Sequence, residues 1–143
     1  MFDSMEKYFG LEKVDVGTYS PLTLAYIGDC VYELVIRTKL VHRNNAPVNL
    51  LNREGSYYAK AATQAFIIEA LYEELSEEEA AAYRRGRNAH SATKAKNASM
   101  SDYRKATGFE ALIGYLYVQR NFDRLMELIA RGFELLNEKK EKK

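Results

Sequence analysis

Two acids stand where a helix that only packs would not place them. Asp29 follows Gly28 inside the apolar stretch "LTLAYIGDCVYELVIRTKL", residues 22 to 40, and Glu110 lies in "FEALIGY", four positions before Gly114. Asp is a poor interior helix residue because its side chain competes for backbone donors, and Gly costs roughly 1 kcal/mol relative to Ala. Residues four apart share a helical face. Each segment therefore pairs an acid with a glycine that lets another backbone come close. If two helices cross at these glycines, the carboxyls approach and repel unless something neutralises them. A hard cation with oxygen ligands, such as Mg²⁺, does so and keeps waters that a phosphate substrate can displace. The spacing fits equally well two boundary acids, each bonded to a helix terminus or a nearby Arg. Glu33, one turn after Asp29, has Arg37 four positions on as a ready ion-pair partner.

Charge distribution is the next signal, because the net charge of +1 hides an asymmetry. Five acids and no base lie between Glu73 and Glu79, whereas Arg84, Arg85, Arg87, Lys94, Lys96, Arg104 and Lys105 are opposed only by Asp102. Such a segment, rich in Lys, Arg, Ser, Thr and Asn, suits the phosphate and ribose contacts that dominate recognition of double-stranded RNA. A solvated helix end whose arginines complement the C-terminal dipole would look the same. His42 and His90 have no Cys or second His at ligand spacing, which excludes an ordinary zinc site. Cys30 is the only cysteine, so no intrachain disulfide forms and a cytoplasmic location fits better than secretion. Its apolar surroundings place it as a small core residue. Tyr26 and Tyr103 are the tyrosines positioned to border a cleft.

These residues need helices to hold them. The chain has 143 residues, 47% hydrophobic and 29% charged, with only two Pro, which points to one all-α domain. No signal-peptide pattern opens it, and no apolar run approaches the ~18 residues of a membrane span. A short helix is expected over Asp3 to Phe9. Ser20-Pro21 caps and opens a long helix to about Val41, with Leu24, Ile27, Val31, Leu34, Val35 and Thr38 as its periodic stripe. Pro47 opens another, with Gly55-Ser56 as a break or bend, and Ala61, Ala65, Ile68, Tyr72 and Leu75 mark one side of the next. "SEEE", Ser76 to Glu79, matches a capping box starting a helix to about Arg87. Residues 88 to 98 lack periodicity and read as a mobile loop. A cap at Ser99 or Ser101 starts a helix through Arg120 with Phe109, Leu112, Ile113 and Leu116 inward. Leu125, Leu128, Ile129, Phe133 and Leu136 define a last helix, and residues 137 to 143, "NEKKEKK", a charged, frayed end.

Together these segments resemble a known family. "LAYIGDCVYELVI" resembles the signature helix of ribonuclease III nuclease domains, and "FEALIGYLY" their second acidic helix. "RRGRNAHS", residues 84 to 91, is characteristic of the compact branch called Mini-ribonuclease III. The likeness covers roughly residues 20 to 120 in order and spacing, and no double-stranded-RNA-binding domain follows, as in that branch. It implies an all-α ribonuclease III-type endonuclease domain of about six to seven helices over residues 1–143. Asp29 and Glu110 would be the catalytic, Mg²⁺-binding acids. Longer relatives place further carboxylates where this chain has Leu22, Ala25 and Thr107, so the metal shell would be thinner and completed by water and RNA phosphate. Another of their acids falls near residues 49–55, where only Glu54 is available.

The resemblance further implies hydrolysis of double-stranded RNA by a metal-activated water in line with the scissile phosphate. It also implies a homodimer and maturation of large-subunit ribosomal RNA precursor, hence proximity to the ribosomal large subunit. Arg84, Arg85, Arg87, Lys94 and Lys96 would be the RNA-binding residues. The alternatives are a non-catalytic RNA-binding, ribosome-associated protein on the same fold, and a helical protein-interaction module.

Overall fold

In the computed structural model, residues 1–89 and 99–142 are described. They form seven α-helices: α1 (Phe2–Phe9), α2 (Pro21–Arg43), α3 (Val48–Ala59), α4 (Ala61–Leu71), α5 (Glu77–Asn88), α6 (Met100–Val118) and α7 (Phe122–Glu141). Short 3-10 turns span Val16–Thr18 and Tyr72–Glu74, and no strand occurs among the described residues. The expected Lys94 and Lys96 contacts, and most of the loop expected over residues 88 to 98, lie outside the described residues.

The helices start where capping chemistry says they should. Ser20 Oγ accepts from the Leu22 and Thr23 amides, and Pro21 takes the first helical position of α2. Ser76 and Glu79 form the full capping box of α5. Glu79 also takes a two-pronged ion pair from Arg124 of α7, at 2.8 and 2.9 Å, and that guanidinium holds its carboxyl below the usual carboxylate range. Ser99 caps α6 by accepting from the Asp102 amide.

α6 is the axis of the fold, packing against α2, α4, α5 and α7. Ala106, Gly108, Phe109, Ala111, Leu112, Ile113, Gly114 and Leu116 are buried, so α6 is apolar around most of its circumference. On one side Gly28 of α2 meets it. A Cβ on Gly28 would lie 1.8 Å from the Glu110 carbonyl oxygen, and one on Gly114 would lie 1.9 Å from that of Leu24. The two backbones are in direct contact at the expected glycines. On another side Gly108 sits against Tyr83 and Gly86 against Ala111, which seats α5.

This close contact rotates the buried face of α2 away from the simple stripe. Leu24, Ala25, Gly28, Val31, Tyr32, Ile36 and Leu40 point inward. Leu34, expected in the core, is 45% exposed, and Cys30, read as a core residue, is exposed beside it. Gly28 must face α6, so positions 30 and 34 turn outward. The stripes predicted for α6 and α7 are buried as expected. α7 runs on to Glu141, into the segment expected to fray.

Gly55 does not break a helix; α3 is continuous through it and leans there on Leu40 and Ile36 of α2. The break falls at Lys60, whose extended ψ of 152° separates α3 from α4. Side chains replace the lost backbone partners: Tyr32 OH donates to the Tyr58 carbonyl, Thr63 Oγ1 to that of Tyr57, and Gln64 Nε2 to that of Ala59. α4 ends at Leu71 and hands over to the 3-10 turn, where a helix was expected to reach Leu75.

Gly28→Ala forces backbone apart rather than a flexible side chain, so it is expected to cost at least about 3 kcal/mol of unfolding free energy in urea. Gly55→Ala is the control: its Cβ meets only ordinary contacts at 3.7 and 3.9 Å, and helix propensity favours Ala there. Equal effects of the two changes would contradict the crossing.

Candidate active site

The crossing of α2 and α6 brings Asp29 and Glu110 together. Asp29 is exposed and Glu110 partly buried. Burial pushes the Glu110 carboxyl up to about 8, helped by the nearby Asp29 carboxyl; Glu33 adds to the same direction. The one opposing contact is Gln64, whose Nε2 donates to Glu110 Oε2 at 3.4 Å. No Arg or Lys pairs with either acid in the described structure. Arg37 reaches the same region but is bonded to Glu33 at 2.9 Å, as its spacing predicted. Among the described residues, neither acid has the nearby Arg partner that the alternative reading offered.

The acids border an open groove of about 860 Å³ that Tyr26, Tyr103, Cys30, Leu34 and Arg37 also line. Tyr26 and Tyr103 thus do border a cleft. Leu22, Ala25 and Thr107, the positions where longer relatives carry acids, line it as well. Two carboxyls and no third acid, His or Cys converge as a ligand cluster among the described residues. Glu54, the spare acid of α3, is taken up by Arg43 and does not line the groove.

Of the predicted basic residues, the described ones, Arg84, Arg85 and Arg87, do not line this groove. Arg84 donates to Tyr72 OH at 2.7 Å and borders, with Arg85, a separate depression at the end of α5. Arg87 lies over the Tyr83 ring and borders another depression with Arg104 and Lys105. Lys105 is ion-paired with Glu69. Sequence reasoning passed over Gln64 because a lone amide in the apolar run "ATQAFII" has no spacing signature; only the α3–α4 break reveals where it points.

An all-helical domain in which two glycine-backed acids meet across α2 and α6 is the arrangement of a ribonuclease III nuclease domain, and residues 22–121 match the family model described as "Ribonuclease III domain". A crystal structure of a protein from Fusobacterium nucleatum is similar, with a TM-score of 0.75, 26% identity, and coverage of 84% of this chain and 96% of that one. Proteins named Mini-ribonuclease 3 are closer in sequence. The one from Thermoanaerobacter sp. is 48% identical over 90% of each chain. The one from Clostridium tetani is 46% identical over 94% of this chain and 91% of its own. The chain belongs to the Mini-ribonuclease 3 branch of the ribonuclease III family, and it is an endoribonuclease.

The raised Glu110 carboxyl has a signed consequence for stability. The folded protein keeps a proton that the unfolded chain releases near the ordinary 4.5, so this group's contribution is lost as pH rises from about 4.5 to about 8. Glu110→Gln removes the titration. In EDTA the variant should gain stability on the parent across that window, by on the order of 2–3 kcal/mol, in urea melts at successive pH values. A stability difference that does not change with pH would contradict the carboxyl contact.

Proposed function

We propose that this endoribonuclease hydrolyses double-stranded RNA in a Mg²⁺-dependent reaction at Asp29 and Glu110, that it works as a homodimer, and that it matures a large-subunit ribosomal RNA precursor. The observation that carries the reading is the meeting of two carboxyls, unneutralised by any cationic side chain among the described residues, at the edge of an open groove. Membership of the ribonuclease III family supports the substrate class and the need for a divalent metal. Proximity to the ribosomal large subunit and a cytoplasmic location follow from that substrate. No helix among the described residues is long and apolar enough to cross a membrane.

The donor set fits Mg²⁺. Carboxylate oxygens are its preferred protein ligands, and a pair that no third ligating side chain joins among the described residues leaves positions for water and phosphate. A divalent cation bound there would supply a water of lowered pKa and stabilise the charge that develops on the leaving oxygen. The chain's own part is to hold the two acids on rigid helices. Glu110, whose carboxyl burial pushes up, must be ionised to bind a cation. Leu22 and Ala25, apolar where longer relatives have acids, leave the remaining coordination to non-protein ligands.

Tyr26, Cys30 and Leu34 line one outward edge of α2, with Tyr26 81% exposed. That apolar edge supports pairing with a second copy, which would set two active sites along one duplex. Arg84, Arg85 and Arg87, with Lys94 and Lys96, are proposed to contact RNA phosphates; of these, Arg84 and Arg85 are exposed and Arg87 is half-buried.

Asp29→Asn and Glu110→Gln should each lower cleavage of a structured RNA duplex at least a thousand-fold, on the order of the electrostatic terms that dominate such sites. Helicity and oligomeric state should not change. Chelation of the parent with EDTA should abolish cleavage and Mg²⁺ should restore it. Full activity in either variant sinks the assignment; RNA binding by the parent without Mg²⁺-dependent cleavage would favour a non-catalytic role.

A further inference from the structure

The break between α3 and α4 delivers one more side chain to the acidic pair. Gln64 lies in the first turn of α4 and is 3% exposed. Its Nε2 donates to the Ala59 carbonyl at 2.7 Å and to Glu110 Oε2 at 3.4 Å. The first contact fixes the second. A backbone carbonyl only accepts, so the amide nitrogen must face Ala59, and its second hydrogen is then directed to Glu110. Turning the amide over would set its oxygen against two acceptors.

This orientation leaves Gln64 Oε1 as the buried side-chain polar atom without a partner among the described residues. A buried acceptor left unsatisfied works against folding, and a Leu or Met of similar size would avoid it. Capping Ala59 does not by itself account for retaining an amide here, because the neighbouring Thr63 caps Tyr57 without any orphaned atom. The amide's other contact is Glu110.

We propose that Gln64 is a positioning residue of the divalent-cation site: it anchors Glu110 Oε2 so that the other carboxyl oxygen is presented to Asp29 and the cation they share. The inference rests on the metal-dependent reading of the Asp29–Glu110 pair. Hydrogen-bond partners that orient metal-binding carboxylates characteristically change affinity by about 10- to 100-fold when removed.

The test uses the full chain and Gln64→Leu, with Gln64→Met as the second variant should Leu not be accommodated. Mn²⁺ binding is measured without RNA by electron paramagnetic resonance of the free ion, alongside the melting midpoint in EDTA. The expected result is a dissociation constant raised about ten-fold or more, alongside a melting midpoint lowered by loss of the donor to the Ala59 carbonyl. Duplex cleavage should then need correspondingly more Mg²⁺. In the parent, the Gln64 side-chain amide resonances should shift on adding Mg²⁺; unmoved resonances overturn the proposal without any variant. Parent-like Mn²⁺ affinity in the variants also overturns it, and a lowered midpoint alongside makes Gln64 a helix cap only. If the parent itself neither binds Mn²⁺ nor cleaves, it is the reading of the acidic pair that fails, and this inference falls with it.

Discussion

The backbone contact between α2 and α6 is the constraint on which the rest of the molecule depends. Ordinary helix pairs stand about 8–10 Å apart because side chains separate them. Here Gly28 and Gly114 remove the separating atoms, and the Glu110 and Leu24 carbonyls fill the space their Cβ atoms would occupy. Two glycines in helix interiors cost roughly 1 kcal/mol each in propensity. The packing of α6 against four other helices offsets that cost. The functional gain is precision, since both acids project from rigid helices rather than loops.

Two well-packed acids, Glu79 and Glu110, show how environment separates structural from chemical roles. Glu79 receives a two-pronged Arg124 ion pair and the Ser76 amide, and its carboxyl is held low. Glu110 receives one long amide contact and faces Asp29, and its carboxyl is pushed up. Guanidinium groups are not scarce nearby: Arg37 lines the same groove but is committed to Glu33. Among the described residues no cationic side chain answers the charge of Asp29 and Glu110 at that place in the groove, and a divalent cation is the neutraliser proposed for it.

Much of this was legible in the sequence because the signals were local. Caps at Ser20, Ser76 and Ser99 marked helix starts, and the stripes of α6 and α7 followed periodicity. The glycine–acid pairs at 28–29 and 110–114 pointed to a crossing before any tertiary information. The errors arose where tertiary packing overrode local preference. Cys30 and Leu34 face outward because Gly28 must face α6. Gly55 passed for a breaker, while the true break at Lys60 is held by Tyr32, Thr63 and Gln64, residues distributed over two other helices. Gln64 carries no spacing signature at all, so its contact with Glu110 emerges only from the fold. The basic residues illustrate the opposite limit: their clustering in sequence did not put Arg84, Arg85 and Arg87 into the acidic groove.

The central claim is that the α2–α6 crossing creates one cation site from Asp29 and Glu110. Anomalous scattering from crystals of the protein equilibrated with Mn²⁺ tests it most directly. The account predicts a peak within bonding distance of both carboxylates, its remaining ligands being water. A peak bound to other side chains, or full Mn²⁺ occupancy elsewhere with none at Asp29 and Glu110, would contradict it.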